Sequence, residues 1–204
     1  MSRPQERSLK AVPAWLSLTL ILAMSFQLYL QHYVESLPIK PRALPEPPSE
    51  EVARLASLDS PTFASQAMML WLQSFDVQPG ISLSFKDLDY QRVAAWLRRI
   101  LALNPSGQYP LLSASRVYAE VHDPERQRQM LDFVAAECER DPNKRWPWLA
   151  HAVYVAKHRL KDIDYALALS ERLAEHQDNK LIPAWARQMK IFVLEDMGEL
   201  ESAK

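Results

Sequence analysis

The 204-residue chain has one cysteine, Cys138, and only three glycines. A single cysteine closes no intramolecular disulfide, and the companion Cys and His spacings of a zinc or iron–sulfur site are missing, so neither metal nor cofactor is expected. So few glycines leave little material for the tight turns of an all-β fold. Neither sign of charge predominates: 24 Lys+Arg stand against 25 Asp+Glu, a formal net charge of −1. The broad basic footprint that counterion release from nucleic acid requires is absent, and nucleic acid is not an expected partner. Also absent are a strand-linked glycine loop for phosphate, a G-x-S-x-G and an H-E-x-x-H, and the chain reads as a non-enzyme.

One absence is local. From Ala11 to Val34 there is no Asp, Glu, Lys or Arg, and AVPAWLSLTLILAMSFQLYL supplies a mostly apolar run. Such a run measures roughly 30 Å as a helix, the thickness of a bilayer core. Trp15 lies near one end and Tyr29 and Tyr33 near the other, where amphipathic rings favour the headgroup level, and Pro13 falls in the first turn. A soluble core helix of this length normally carries a charged face. A cleaved signal peptide is the rival, because Arg3, Arg7 and Lys10 form a positive leading region. Ala23-Met24-Ser25 is a poor cleavage site, however, and apolar character continues through Phe26, Leu28, Tyr29 and Leu30, which favours an uncleaved signal anchor over residues 11–34. Arg3, Arg7 and Lys10 before the span outnumber Lys40 and Arg42 after it. The positive-inside rule then keeps the tail, residues 1–10, in the cytoplasm and carries the rest across the inner membrane, which is into the periplasm if the source is a Gram-negative bacterium.

Residues 35–50 hold Pro38, Pro41, Pro45, Pro47 and Pro48, which fix φ, remove donors and exclude helix and sheet. An extended spacer of this length reaches on the order of 40 to 45 Å at about 3.1 Å per residue, and it reads as a stand-off linker, with an SH3-like ligand as the alternative.

From Glu51 to Lys204 apolar residues recur at helical spacing, and only ISLSF at Ile81 to Phe85 alternates like a strand. In DYQRVAAWLRRILALNP, Val93, Trp96, Leu97, Ile100 and Leu101 form one stripe and Pro105 ends the run. Arg92, Arg98 and Arg99 fall off that stripe, as a solvated face or, alternatively, an anion site. Met130, Phe133, Val134 and Cys138 mark a second stripe, which ends before Asp141-Pro142, and Ala166, Leu169, Ser170 and Leu173 a third. Overlaying these runs makes Val93, Met130, Ala166 and Ala203 equivalent, at separations of 37, 36 and 37. Pro110, Pro147 and Pro183, each read as opening a helix, repeat at 37 and 36, and Val117-Tyr118, Val153-Tyr154 and Ile191-Phe192 at 36 and 38. Three families of landmarks with one period indicate duplicated helix pairs, near residues 60–104, 108–141 and 146–178, followed by a solitary helix at about 183–197. Ser60-Pro61 opens the first pair as N-cap and first residue.

This helix run resembles the second helix of a tetratricopeptide repeat, with Tyr90, Val93, Leu97, Ile100 and Pro105 at the family's aromatic, small, bulky, small and proline places. LEDMGELESA resembles the turn inside such a repeat, with Gly198 at the turn glycine and Ala203 at the first small position. The similarity covers roughly residues 61–204, with a period longer than the family's usual length of about 34. Val93, Met130, Ile100 and Glu137 stand where small residues are typical, which implies wider helix crossings. The fold so implied is all-α: a transmembrane helix followed, over residues 51–204, by an α-solenoid of about three antiparallel helix pairs and a terminal helix.

The resemblance implies binding of a protein or peptide in a preformed groove lined by first helices. Tyr109, Trp146, Trp148 and Trp185 at the openings of those helices, with His151, Lys157, His158, Arg187 and Lys190, are the candidate partner-binding residues. The alternative for the tryptophans is that they seal contacts between repeats. His151 and His158 share a helix face roughly 10 Å apart, too far for one zinc ion. Asp162 and Asp164 read as helix caps, and Cys138 as a small buried apolar residue. On the last helix Arg187, Lys190, Glu195 and Asp196 would solvate an outer face, making it a cap rather than a docking face. The expected role is that of a membrane-anchored scaffold or adaptor. The alternatives are an accessory or assembly subunit of a larger membrane complex and an envelope enzyme using His and Asp side chains.

Overall fold

Residues 13–35, 42–78, 81–176 and 178–198 are described by the computed structural model. The flanking charges Arg3, Arg7, Lys10 and Lys40 and the landmark Ala203 lie outside them. The chain divides into two units, Met1–Pro41 with Pro79–Ile81, and Arg42–Gln78 with Ser82–Lys204.

In the first unit, the uncharged run forms α1 (Ala14–Glu35), opened by the N–H of Leu16 donating to the carbonyl of Pro13 at 3.0 Å. Its mean hydropathy over Ala14–Tyr33 is 1.3, and large apolar side chains stand exposed all round it, from Trp15 and Leu18 to Phe26 and Leu28. A helix apolar on every face has no core-facing stripe, and this one is long and apolar enough to cross a membrane. N-terminal signal sequences share that length and composition.

The second unit is built from helices: α2 (Glu50–Ala56), α3 (Pro61–Gln73), α4 (Tyr90–Leu103), α5 (Tyr109–Arg116), α6 (Pro124–Arg140), α7 (Pro142–His158), α8 (Ile163–Ala174), α9 (Ala184–Arg187) and α10 (Met189–Asp196). The strand expected at ISLSF is only two residues long (Ile81–Ser82), and Phe85–Asp87 turns into a 3-10 helix. Starts follow local chemistry. Asp89, Asp123 and Asp162 cap α4, α6 and α8, each carboxylate accepting a backbone N–H of the first turn. Pro61, Pro110 and Pro142 occupy the first turns of α3, α5 and α7, where a missing N–H costs nothing.

Pro147 therefore does not open a helix. Asp141-Pro142 already supplies the N-cap and the first residue of α7, so Pro147 lies inside it. Pro183 is the N-cap of α9, and the solitary terminal helix is two short ones broken at Gln188. Beyond α10, Gly198 takes φ +78 and donates its N–H to the carbonyl of Glu195 at 3.0 Å. This left-handed position is one that glycine fills without strain, as expected of a turn glycine.

Helices α3 and α4, α5 and α6, and α7 and α8 pack as pairs, while α4 also meets α6, α5 meets α7, α6 meets α7 and α8 meets α10. Inside lie the expected stripes: Val93, Leu97 and Ile100 of α4, Met130, Val134 and Cys138 of α6, and Ala166, Leu169 and Leu173 of α8. They interdigitate with Leu111, Ala114, Leu149, Ala152 and Val153 of the first helices. Each fully buried leucine stabilises the fold by roughly 1.5–3 kcal/mol. Burial also pushes the Cys138 thiol up to about 12, so it behaves as an apolar filler.

The proline-rich segment is not free over its second half. Leu44 is buried, and its carbonyl accepts from Arg92 Nη1 at 2.5 Å. The carbonyl of Pro45 accepts from Trp96 Nε1 at 2.8 Å, and Gln78 Oε1 and Nε2 grip the N–H and carbonyl of Arg42 at 2.8 and 2.9 Å. Extended proline-rich backbone makes no internal bonds, so its carbonyls are available to donors on α4. Residues 42–49 are thus a strap on the helical body rather than a spacer. The first part of the expected spacer, residues 36–41, lies outside the described residues.

Candidate binding surface

The four aromatic residues at the first-helix openings divide between two roles. Trp148 Nε1 donates to Gln108 Oε1 at 2.6 Å, tying α7 to the residue before α5, and Trp146 meets Trp185 edge-on at 5.5 Å, tying α7 to α9. Gln73 Nε2 donates to the Tyr109 hydroxyl at 2.8 Å and ties α3 to α5. These contacts tie α3 to α5, α5 to α7 and α7 to α9, the kind of sealing contact weighed for the tryptophans. The second helices are tied similarly. Tyr165 donates to Asp132 at 2.5 Å, Arg172 pairs with Glu139 at 2.7 Å, and Arg128 pairs with Asp162 and covers the Tyr165 ring. That ion pair and the N–H of Tyr165 hold the Asp162 carboxyl below its ordinary range, the backbone bond contributing most.

Tyr109 does more than staple. Together with Leu70 it walls a groove of about 470 Å3 between α3 and the start of α5, floored by Met69 and Ile100 and edged by Gln66, Asn104 and Gln108. Leu70 is 67% exposed and Tyr109 50% exposed. Phe63, likewise exposed, lies two turns before Leu70 on the same α3 face, so the apolar strip runs on beyond the groove. An apolar floor with amide groups at its edges suits a peptide: the floor takes side chains and the amides take backbone groups.

Sequence reasoning missed the α3 side of this groove. The signal was the composition of PTFASQAMMLWLQ, in which only Ser65, Met69 and Leu72 are buried. The helix carries more large apolar side chains than one packed face uses, and Phe63, Leu70 and Trp71 are the excess.

The other candidates lie elsewhere. Tyr154 stacks on His151 at 5.9 Å and touches the His158 ring at 4.7 Å, forming a His-Tyr-His strip along α7 with the tyrosine between the imidazoles. Among the described residues no group of three His, Cys, Asp or Glu side chains is placed to hold a metal ion. Lys157 pairs with Asp196, Lys190 with Glu171 at 2.9 Å, and Arg187 Nε donates to the carbonyl of Ile182 at 3.0 Å. Of the charges expected to solvate the outer face of the last helix, Asp196 and Lys190 turn onto α7 and α8, and Leu181, Trp185 and Phe192 stand exposed.

Burial, and after it the Arg116 charge, lower the His151 pKa. Above about pH 6.5 the imidazole is neutral in both folded and unfolded chains and adds no pH dependence; below it the unfolded chain takes up the proton first, and stability falls. Replacing His151 with Gln should flatten the loss of urea midpoint between pH 7.5 and pH 5. An equal loss in both proteins would remove His151 as its source.

Compared with known proteins, the chain matches no family model, no curated protein and no solved structure.

Proposed function

We propose that the protein is a single-pass membrane-anchored adaptor of tetratricopeptide type, whose stacked helix pairs hold a protein or peptide partner at the membrane surface. The observation that carries this reading is the groove between α3 and α5, with Leu70 and Tyr109 exposed over a buried apolar floor. Ties between partners 33 to 40 residues apart, from Tyr165–Asp132 to Trp148–Gln108, support a repeated unit. Stacking explains them, because each amphipathic pair buries the rest of its apolar face only against the next pair. A partner segment laid across Phe63, Leu70 and Tyr109 would be bound with little rearrangement. Confining both proteins to one membrane raises their effective concentration. The role needs no turnover chemistry.

In this reading α1 is an uncleaved anchor, with the N-terminus cytoplasmic and the helical body periplasmic. An alkaline phosphatase fused after Lys204 is then active, and a silent fusion reverses the orientation. Leu70→Glu should lower recovery of the bound partner at least tenfold with an unchanged thermal midpoint, and Tyr109→Ala should do the same with a small fall in midpoint from the lost Gln73 tie, as expected of hot-spot residues worth about 2 kcal/mol. Undiminished recovery in both variants would move the binding surface away from the groove.

A second reading, an accessory or assembly subunit of a larger membrane complex, is favoured by the exposed apolar residues Leu181, in the turn before α9, and Trp185 and Phe192 on the last helices.

A further inference from the structure

Four guanidinium groups from three helices open onto one cleft of about 630 Å3: Arg98 and Arg99 of α4, Arg140 at the end of α6 and Arg145 at the start of α7. Beneath them lies Glu137, 2% exposed at its side chain. Its Oε2 accepts from Arg145 Nη1 at 2.7 Å, and its Oε1 accepts from Arg140 Nη1 at 2.9 Å and faces Arg98 Nε at 3.5 Å. Arg145, 5% exposed at its side chain, also donates to the carbonyls of Glu137 and Pro105 at 3.0 and 3.2 Å. The remaining acids of the cleft are engaged as well. Glu50 pairs with Arg54 at 2.8 Å and Arg99 at 3.5 Å, and Asp141 lies 4.0 Å from Lys144.

Glu137 is buried beneath the arginines that pair with it, and the most exposed charges of the cleft are Arg98, Arg140 and the Arg99-paired Glu50. The Arg98 and Arg140 side chains are 47% and 60% exposed, and Arg98 is steadied over the Phe133 ring at 5.6 Å. Arg99 and Arg145 each keep a buried Nε–H with no acceptor. Four arginines against Glu50, Glu137 and Asp141 leave the cleft one positive charge in surplus, in a chain whose formal net charge is −1. Glu137 already occupies the point on which Arg98, Arg140 and Arg145 converge, so these arginines offer the solvent only their outer N–H groups, and Pro47, Leu101, Ala102 and Pro105 line the space around them. A lone tetrahedral oxyanion wants convergent donors; carboxylates spaced along a chain fit separated guanidinium forks with apolar surface between them.

We propose that this cleft binds an acidic peptide segment, whose carboxylates pair with Arg98 and Arg140 while its chain lies along Pro47, Ala102 and Pro105. The site shares no lining residue with the groove of Leu70 and Tyr109. It is therefore tested independently of that groove.

The test is fluorescence anisotropy of a fluorescein-labelled hexaglutamate peptide with the full chain in nanodiscs of uncharged lipid. Binding should weaken as salt rises, and Arg98→Gln with Arg140→Gln should weaken it at least tenfold while the circular dichroism spectrum keeps its helical form, Glu137 retaining its buried partner Arg145. Leu70→Glu should leave it unaltered. Unchanged affinity in the double arginine variant overturns the proposal, as does equal binding of a hexalysine peptide. Full displacement by inorganic phosphate at the concentration of the peptide would also overturn it, by making the cleft a site for a bare oxyanion. Loss of binding in Leu70→Glu alone would assign the peptide to the groove and overturn the cleft.

Discussion

Arg145→Ala is expected to destabilise the helical body by about 3 kcal/mol, the range for breaking a buried pair from one side. The substitution leaves Glu137 buried with only the weaker, outward-facing Arg140 and Arg98, and it strips the donor from the Glu137 and Pro105 carbonyls. For a body of this size that corresponds to a fall of about 6–12 °C in the thermal midpoint. Because removing both charges deletes the desolvation penalty along with the attraction, the double variant Glu137→Leu with Arg145→Met should recover most of the loss. Circular dichroism melts of the three proteins check this. A double variant as unstable as the single one would mean that the carbonyl contacts, not the charges, carry the effect. Because Arg145 touches α6 and the connection before α5 at once, its loss should loosen the join between the second and third helix pairs.

Trp96→Ala is expected to cost about 3–5 kcal/mol, as for other large aromatic truncations in a packed site. The indole is buried, packs against the tilted Trp71 ring at 4.6 Å and holds the strap through the Pro45 carbonyl. Trp96→Phe separates these contributions, since it keeps most of the bulk and loses the donor, for about 1 kcal/mol. If the strap is held by that bond and by Arg92, the phenylalanine variant should be cut by trypsin after Arg42 several-fold faster than the parent, with little change in its melt. Equal cutting rates would mean that burial of Leu44 alone holds the strap.

The residues that carry these two effects show what could and could not be read from the chain. Trp96 was legible as a core residue, because it falls on the stripe with Val93, Leu97 and Ile100, and a 3.6-residue period is a property of local sequence. Its second duty was not legible: the Pro45 carbonyl lies 51 residues earlier, in a segment whose prolines speak only of extended backbone. Arg145 is not legible when Pro147 is read as the helix start, because that reading leaves PNKR as a connection. Asp141-Pro142 is the stronger start, and it puts Arg145 on the buried face of the first turn. The second-helix stripes and the Asp162 cap followed from periodicity and capping chemistry, whereas Asp164 lies inside the first turn of α8 and is not its cap. The groove did not, because α3 is apolar almost throughout, and periodicity cannot tell which apolar face is left uncovered when the covering helices are distant in sequence. The dispersal of His151, Lys157, His158 and Arg187 has a related cause. They occupy helix faces whose partners, such as Asp196 for Lys157, are fixed only by how the pairs pack.

The most direct measurement is site-specific photo-crosslinking in intact membranes, with a photoreactive amino acid placed in turn at Tyr109, at Leu70 and, as a control away from the groove, at Asp178. A discrete adduct with one protein from positions 109 and 70, and none from 178, is the predicted result. No adduct from either groove position, or the same adducts from all three, would contradict the assignment of this protein as an adaptor that binds through the α3–α5 groove.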